Sequence, residues 1–235
     1  MKALVLAAGL GERMRPLTLT TPKPLLEVGG RPLIAWHLEK LAAIGVDEVI
    51  VNTSWLASQF PDALGDGSRW GLRVRCIDEG PVPLETGGGM WNALTELSPN
   101  GEPFIVVNGD IWTDYDFACL PHDPDGLAHL VLVDNPAHNE VGDFALDGRM
   151  VRSDGVPRYT FSGVGVYRRG LIDDWRSIIG DMPGAAETPP RFKLAPLLRA
   201  AMRVDKVTGE HHRGAWTDVG TPERLQQLDA SLRAG

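Results

Sequence analysis

The sequence predicts an α/β fold: a Rossmann-like, mainly parallel mixed sheet flanked by helices in three layers, α/β/α, with a small extension on its second half. Three observations carry that expectation. Apolar runs without polar alternation at residues 2–8, 46–52 and 104–107 read as strands buried on both faces. Segments of helical spacing lie between them, so the strands are joined by right-handed crossovers. Glycine turns follow the first of these strands and the last, at the edge where open α/β sheets bind ligands.

In chain order, the strand at 2–8 leads to Gly9 and Gly11. Residues 14–30 are rich in Pro, Thr and Gly and are not expected to be helical. Pro32 suits the first position of a helix. Leu33, Trp36, His37, Lys40, Leu41 and Ile44 then recur at helical spacing up to Gly45, with His37 expected to be partly buried. After the strand at 46–52, Ser54 is placed to cap a short helix reaching Phe60, ahead of Pro61. Residues 72–77 alternate as a further strand. Residues 80–89 read as an irregular loop, and Met90, Trp91, Leu94 and Leu97 as a helix face that ends before Pro99. Asn108-Gly109-Asp110 closes the strand at 104–107.

The second half holds a strong strand at 127–133 and a hairpin at 141–150 around Asp147-Gly148. A strand follows at 159–167, then helices at 171–179 and 194–202 separated by a mobile loop at 180–190. A short strand at 204–207 and a helix at 222–232 complete the reading. No repeat or linker divides the chain, so residues 1–235 are expected to form a single domain.

The 235 residues carry 31 acidic and 23 basic side chains, a net charge of −8, with 43% apolar residues. That composition argues against disorder. It argues against coating nucleic acid or adhering to anionic membranes, and leaves room for a local basic pocket. Ala3–Ala8 is too short for a signal peptide or a membrane span, so a cytoplasmic location is expected. Cys76 and Cys119 have no framework or metal spacing and are expected to be free. Lysine occurs at only five positions, 2, 23, 40, 193 and 206, so a lysine held in a stiff segment stands out.

In LAAGLGERMRP, residues 6–16, the glycine turn lets backbone N–H groups converge on an anion. Gly9 and Gly11 clear the space, and Arg13 and Arg15 sit beside it. A tight turn with two surface arginines is the plain alternative. Met14 breaks the G-x-G-x-x-G spacing, and no P-loop G-K-[ST] follows. In TTPKPL, Pro22 and Pro24 are expected to hold Lys23 extended, although a solvated loop lysine would look the same. Gly9, Gly11, Arg13, Arg15 and Lys23 together suggest a triphosphate site.

Asp110, at the end of its strand, is a hard oxygen ligand suited to Mg²⁺ or else a cap. Asp218, in WTDVGTP, either shares that ion or satisfies a turn. The three glycines of PLETGGG permit close approach by a flat base, or make a hinge. Histidines 122, 129, 138, 211 and 212 lack metal spacing, His211-His212-Arg213 is a candidate anion-binding edge, and no G-x-S-x-G elbow occurs.

These motifs resemble the sugar-1-phosphate nucleotidyltransferases, the nucleoside-diphosphate-sugar pyrophosphorylases. Residues 6–26, LAAGLGERMRPLTLTTPKPLL, are similar to the signature of that family. The resemblance implies that Leu6, Ala7, Ala8, Gly9, Gly11, Glu12, Arg13 and Lys23 hold the nucleotide, with Glu85, Thr86, Gly87 and Gly88 near its base. It makes Lys23 and Arg13 catalytic, and Asp110 and Asp218 the ligands of Mg²⁺. It puts Asn108, Gly142, Asp143, Arg158 and Lys193 on the sugar side. Residues 1–115 would form mainly the nucleotide-binding half, and 116–235 mainly the sugar-binding half with its small sugar-binding extension.

The Glu-Lys-Pro with which many members grip the sugar phosphate is missing from RMVRSDGVPRYTFSG, and Arg158 or Lys193 would have to replace it. No left-handed β-helix follows, so a second, acyltransferase activity is not expected. PLETGGG, VNGDIWTDYDF, GLAHLVLVDNP, FKLAPLLRAAM and GEHHRGAWTDVGTPERL narrow the likeness. They resemble members that join UTP and N-acetylmuramic acid α-1-phosphate into UDP-N-acetylmuramic acid, releasing pyrophosphate, in bacterial peptidoglycan recycling. The alternatives are another sugar-1-phosphate of the glucose, GlcNAc or mannose type, phosphocholine with CTP, and, outside the class, a non-catalytic nucleotide-sensing module. The expected partners are UTP and a sugar-1-phosphate, with no nucleic acid or membrane, on a monomer or small homo-oligomer.

Overall fold

Each apolar run of the first half becomes a strand with side chains buried on both sides. The computed structural model describes residues 1–234. In chain order its elements are β1 (Lys2–Leu6), β2 (Glu27–Val28), β3 (Arg31–Pro32), α1 (Leu33–Ala43), β4 (Glu48–Thr53), α2 (Gln59–Leu64), β5 (Arg73–Asp78) and α3 (Glu85–Leu97). There follow β6 (Phe104–Asn108), β7 (Ile111–Thr113), β8 (Ala128–Val133), β9 (Phe144–Asp147), β10 (Met150–Arg152) and β11 (Arg158–Tyr167). The chain continues through α4 (Gly170–Asp173), α5 (Trp175–Ile179), α6 (Ala195–Met202), β12 (Val207–His212), β13 (Trp216–Asp218) and α7 (Pro222–Ala234).

The main sheet runs β5-β4-β1-β6-β11-β8-β12-β10-β9. β5, β4, β1 and β6 are parallel, β11 is antiparallel to both β6 and β8, and β12 is parallel to β8. β9 also pairs back onto β11, so β11, β8, β12, β10 and β9 close into a small five-stranded ring. Alternate residues of each strand face opposite layers. Leu4, Ile50 and Val106 pack with α3 and α6, while Ala3, Val5, Val49 and Val51 pack with α1 and α2. The three-layer mixed α/β sheet is the one expected. Among the described residues no helix is long and apolar enough to cross a membrane.

Several elements differ from the sequence reading. Ser54 does not cap a helix: its hydroxyl donates to the Gly80 carbonyl at 2.6 Å, and α2 begins five residues later, at Gln59. Pro61 lies in the first turn of α2, where its missing N–H leaves no bond unmade. The helix expected over 171–179 is divided at Asp174, which lets Leu171, Ile172, Trp175 and Ile179 all reach the core. The strand expected at 204–207 begins only at Val207, because 203–205 turn off α6 through Asp205 at φ 57°. His37 is fully buried rather than partly so. Lys23 is not extended. It opens a single 3-10 turn, Lys23–Leu25, with Pro24 at a position that needs no N–H.

The largest correction concerns the triple glycine. α3 starts at Glu85, so Gly87, Gly88 and Gly89 form its first turns and are buried. A Cβ on Gly87 would lie 2.6 Å from the Phe192 ring, and one on Gly88 2.6 Å from the Pro190 carbonyl oxygen. Gly87 and Gly88 admit the segment 190–192. That segment is stitched down by hydrogen bonds from the Gly88 N–H to the Phe192 carbonyl (2.9 Å) and from the Phe192 N–H to the Leu84 carbonyl (3.1 Å). Stacking of Phe192 on Trp175 at 4.6 Å completes the contact.

In an unobstructed helix, Gly→Ala stabilises by about 1 kcal/mol. At Gly88 the sign should reverse, because backbone on the opposite side cannot give way. Overpacking of this kind costs about 1–3 kcal/mol. Gly88→Ala should therefore lower the melting temperature by roughly 3–10 °C, read by calorimetry. A rise in Tm would show that the segment is not closely packed on α3.

Candidate active site

β1 and β6 end side by side, and the chain leaves both at the same edge of the sheet. The Gly109 N–H donates to the Leu6 carbonyl at 2.8 Å, so the two exits are tied together. Beyond Leu6 the Ala7 N–H donates to Asn52 Oδ1 at 2.7 Å. Among the described residues the N–H groups of Ala8, Gly9, Leu10 and Gly11 have no protein acceptor. Successive free N–H groups on one turn are an anion-binding arrangement. Gly11 holds φ 62°, and a Cβ on Gly9 would meet nothing within 4 Å because it would project into the cavity beside the loop.

That cavity measures about 490 Å³. Leu6, Ala7, Ala8, Gly9, Gly11, Lys23, Glu85 and Thr86, all expected on the nucleotide side, line it together with Asn108, expected on the sugar side, and Asp110, expected as a metal ligand. Glu12 and Arg13 border an adjoining hollow of about 370 Å³ that shares Gly11 and Lys23 with it. Arg13 is exposed and has no carboxylate partner among the described residues, whereas Arg15 lies 3.8 Å from Glu12. Lys23 is largely buried and donates to Asp110 Oδ2 at 2.7 Å.

Sequence reasoning missed the floor. Asn52 Nδ2 donates to Glu79 Oε1 at 2.6 Å, and Glu79 Oε2 accepts the Leu84 N–H at 2.8 Å. Burial raises the Glu79 carboxyl above the usual range, against the pull of those two hydrogen bonds. Gly89 makes room for this pair, since a Cβ there would lie 2.7 Å from both side chains. A polar side chain at the end of each of two adjacent strands, Asn52 in β4 and Glu79 just past β5, was the available signal. Glu85 also holds φ 64°, a strained conformation for a side chain of its kind, at the cavity wall.

A second cavity of about 240 Å³ meets the first at Leu6, Thr86 and Asn108. Asp143 lines it, with Phe144, Phe161, Tyr167, Leu198 and Arg199. Of the five expected sugar-side residues only Asn108 and Asp143 are there. Gly142 is in a tight turn, where a Cβ would lie 2.8 Å from Asn135 Oδ1. Arg158 is spent on main-chain carbonyls, of Ser153 at 2.9 Å and Asp143 at 2.6 Å. Lys193 is exposed, outside both cavities. Gly87 and Gly88 likewise line neither.

Asp110 and Asp218 are brought together by backbone pairing. β13 runs antiparallel to β7 with Asp218 opposite Ile111, and the Val219 N–H donates to the Asp110 carbonyl at 2.7 Å. Asp218 is paired with Arg224 and with His138 Nε2, the latter at 2.9 Å. Two carboxylates of different strands on one edge are a hard donor set of the kind Mg²⁺ takes together with phosphate and water. No group of three or more His, Cys, Asp and Glu gathers as a metal site among the described residues. His211 and His212 do not form an anion edge, because Asp134 (2.9 Å) and Asp114 (2.6 Å) occupy them.

A family model for nucleotidyl transferases matches residues 2–135. The chain belongs to the nucleotidyl transferase family. It is 48% identical to the N-acetylmuramate alpha-1-phosphate uridylyltransferase of Neisseria meningitidis serogroup B, over 98% of this chain and 97% of that one. It is 31% identical to the protein of the same name from Caulobacter vibrioides, over 98% and 96%. A crystal structure of a glucose-1-phosphate thymidylyltransferase from Bacillus anthracis, in complex with sucrose, shares the fold. Its TM-score is 0.80 at 20% identity, over 99% of this chain and 95% of that one. The chain is thus an enzyme of nucleotidyl transfer, and members of this family generally use a divalent metal.

His37 of α1 is 1% exposed, with the Ile111 main chain and the Asp110 carboxylate as its polar neighbours. Burial lowers its pKa from about 6.5 to about 4, against the pull of the Ile111 main chain and the Asp110 carboxylate. Above pH 6.5 the ring is neutral folded or unfolded and contributes no pH dependence. Below it the unfolded chain takes a proton that the folded chain refuses, so stability falls as pH drops from about 6.5 to 4. The loss should be on the order of 3 kcal/mol. Urea midpoints across this range should fall less steeply for His37→Leu than for the wild type. Parallel curves would place the acid sensitivity elsewhere.

Proposed function

We propose that this nucleotidyltransferase joins UTP to N-acetylmuramic acid α-1-phosphate, giving UDP-N-acetylmuramic acid and pyrophosphate, as a cytoplasmic step of cell-wall recycling. The observation that carries the reading is the pair of joined cavities. One has free N–H groups and Lys23, with Arg13 in the hollow beside it, for a triphosphate, and the other has aromatic and apolar walls for a sugar. The near full-length identity to two proteins named for that reaction supports the substrates.

The nucleotide's phosphates rest on residues 8–11, with Arg13 toward the leaving pyrophosphate. Lys23 gives one of its three donors to Asp110 and has others for the phosphate under attack. The sugar phosphate enters through the second cavity, past Asn108. Its oxygen is already an anion near neutral pH, so no protein base is needed. Catalysis then consists of aligning two anions and offsetting their repulsion. Asp110 and Asp218 would hold the divalent ion, taken to be Mg²⁺, which when bound supplies charge neutralisation at the α-phosphoryl group. Each cavity borrows from the other half of the chain. Arg191 reaches the nucleotide cavity, while Leu6 and Val106 reach the sugar cavity. We therefore treat residues 1–235 as one domain whose halves only broadly divide nucleotide from sugar.

The test is pyrophosphate release with UTP and, in parallel, N-acetylmuramic acid, N-acetylglucosamine and glucose 1-phosphates. The first should give the highest kcat/KM, and release should stop when divalent ions are chelated. Equal use of all three sugars would defeat the substrate assignment. Lys23→Ala should lower kcat and kcat/KM together by roughly 10²–10³-fold. An unchanged kcat with a raised KM for UTP would reduce Lys23 to a ground-state contact.

A further inference from the structure

The sugar cavity contains two charged side chains, and only one is available. Asp143 is committed to its own loop. Its Oδ2 accepts the Phe161 N–H at 2.8 Å, and its Oδ1 accepts from the Asn139 amide at 3.3 Å. Arg199, on α6, is exposed and has no carboxylate or carbonyl partner among the described residues. Its guanidinium carbon lies 5.8 Å from the centre of the Phe144 ring, which lines the same cavity.

The position of Arg199 decides what it can meet. The two cavities join at Leu6, Thr86 and Asn108. Lys23 and Asp110 line only the nucleotide cavity, and Arg199 lines only the sugar cavity. A sugar 1-phosphate reaching toward Lys23 presents its anomeric phosphate to the junction and the rest of its ring to Arg199. We propose that Arg199 is a specificity residue that binds a carboxylate carried on the sugar, remote from the reacting phosphate. This rests on the substrate assigned above. N-acetylmuramic acid differs from N-acetylglucosamine by a lactyl ether that ends in such a carboxylate.

The chemistry favours arginine in this role. Its planar fork pairs with both oxygens of a carboxylate, and it stays charged at every working pH. Phe144, Phe161, Tyr167 and Leu198 give the cavity an apolar lining that strengthens the ion pair relative to open water. Sugar 1-phosphates of the same ring size that lack the carboxylate would leave the guanidinium without a partner. Selection for the acidic sugar then comes from one side chain that has no other bond to lose.

Arg199→Gln and Arg199→Lys test this, with N-acetylmuramic acid and N-acetylglucosamine 1-phosphates compared at saturating UTP. For Arg199→Gln the ratio of kcat/KM between the N-acetylmuramic acid and N-acetylglucosamine 1-phosphates should fall by about 10- to 100-fold, mainly through KM for the former. Arg199→Lys should recover part of the loss, since charge remains but the fork does not. KM for UTP and the melting temperature serve as readouts of a merely structural change and should hold. Equal losses on both substrates would mean that Arg199 holds the shared phosphate, and an unchanged ratio would mean that it holds neither group. Either result overturns the proposal while leaving the assigned reaction intact. A wild type that shows no preference for the acidic sugar would overturn the assigned reaction, and the proposal with it.

Discussion

Three distant segments converge on Asp110, and the site depends on that convergence. Its carboxylate takes the ammonium of Lys23, 87 residues earlier, and its carbonyl takes the N–H of Val219, 109 residues later. The first bond draws the turn at 23–25 onto the end of β6. The second carries β13, and so Asp218, to the same edge. Removing either charge of the Lys23–Asp110 pair would leave the other largely uncompensated at a half-buried position. A site that must meet several phosphate charges is built around a cation already held by an anion, which fixes the ammonium before substrate arrives.

The segment 190–194 does for the two cavities what Asp110 does for the loops. The Leu194 N–H donates to Thr86 Oγ1 at 3.1 Å, and Thr86 borders both cavities. Arg191, from the same segment, lines the nucleotide cavity, and α6, which follows it, lines the sugar cavity. The glycines at 87 and 88 allow this segment to lie against α3. Their cost in helix propensity, about 1 kcal/mol each, is offset by main-chain hydrogen bonds and the stack of Phe192 on Trp175.

What could be read in the sequence was whatever the backbone does locally. Gly9 and Gly11 after an apolar strand, and Asp110 at the end of another, pointed to the larger cavity, because a turn with free N–H groups is built from consecutive residues. The glycines at 87–89 were legible as a demand for space, but not as to what fills it, since Pro190 and Phe192 lie a hundred residues away. The prolines around Lys23 forbade a longer helix but permitted one 3-10 turn, and rules written for helix interiors do not separate those cases. The smaller cavity was the least legible. Its walls come from β6, β9, β11 and α6, each contributing one to three residues with no fixed spacing. Arg158 looked available because a chain of letters cannot show that three main-chain carbonyls already occupy it.

The overall charge of −8 bears on this arrangement. Both proposed substrates are anions, so the protein's mean field opposes their approach, and attraction must come from a few cations close to where they bind. Most arginines here cannot serve. Arg31, Arg75, Arg168, Arg169, Arg191 and Arg233 are each paired with a carboxylate of their own. Lys23, beside its single aspartate, and the unpaired Arg13 and Arg199 are the cations left at the cavities. An acidic surface with its arginines neutralised discourages polyanions that lack the right shape. At the cavities, a ligand gains charge–charge stabilisation from those three residues. In this chain, selectivity comes as much from the arginines that are already occupied as from those that remain free.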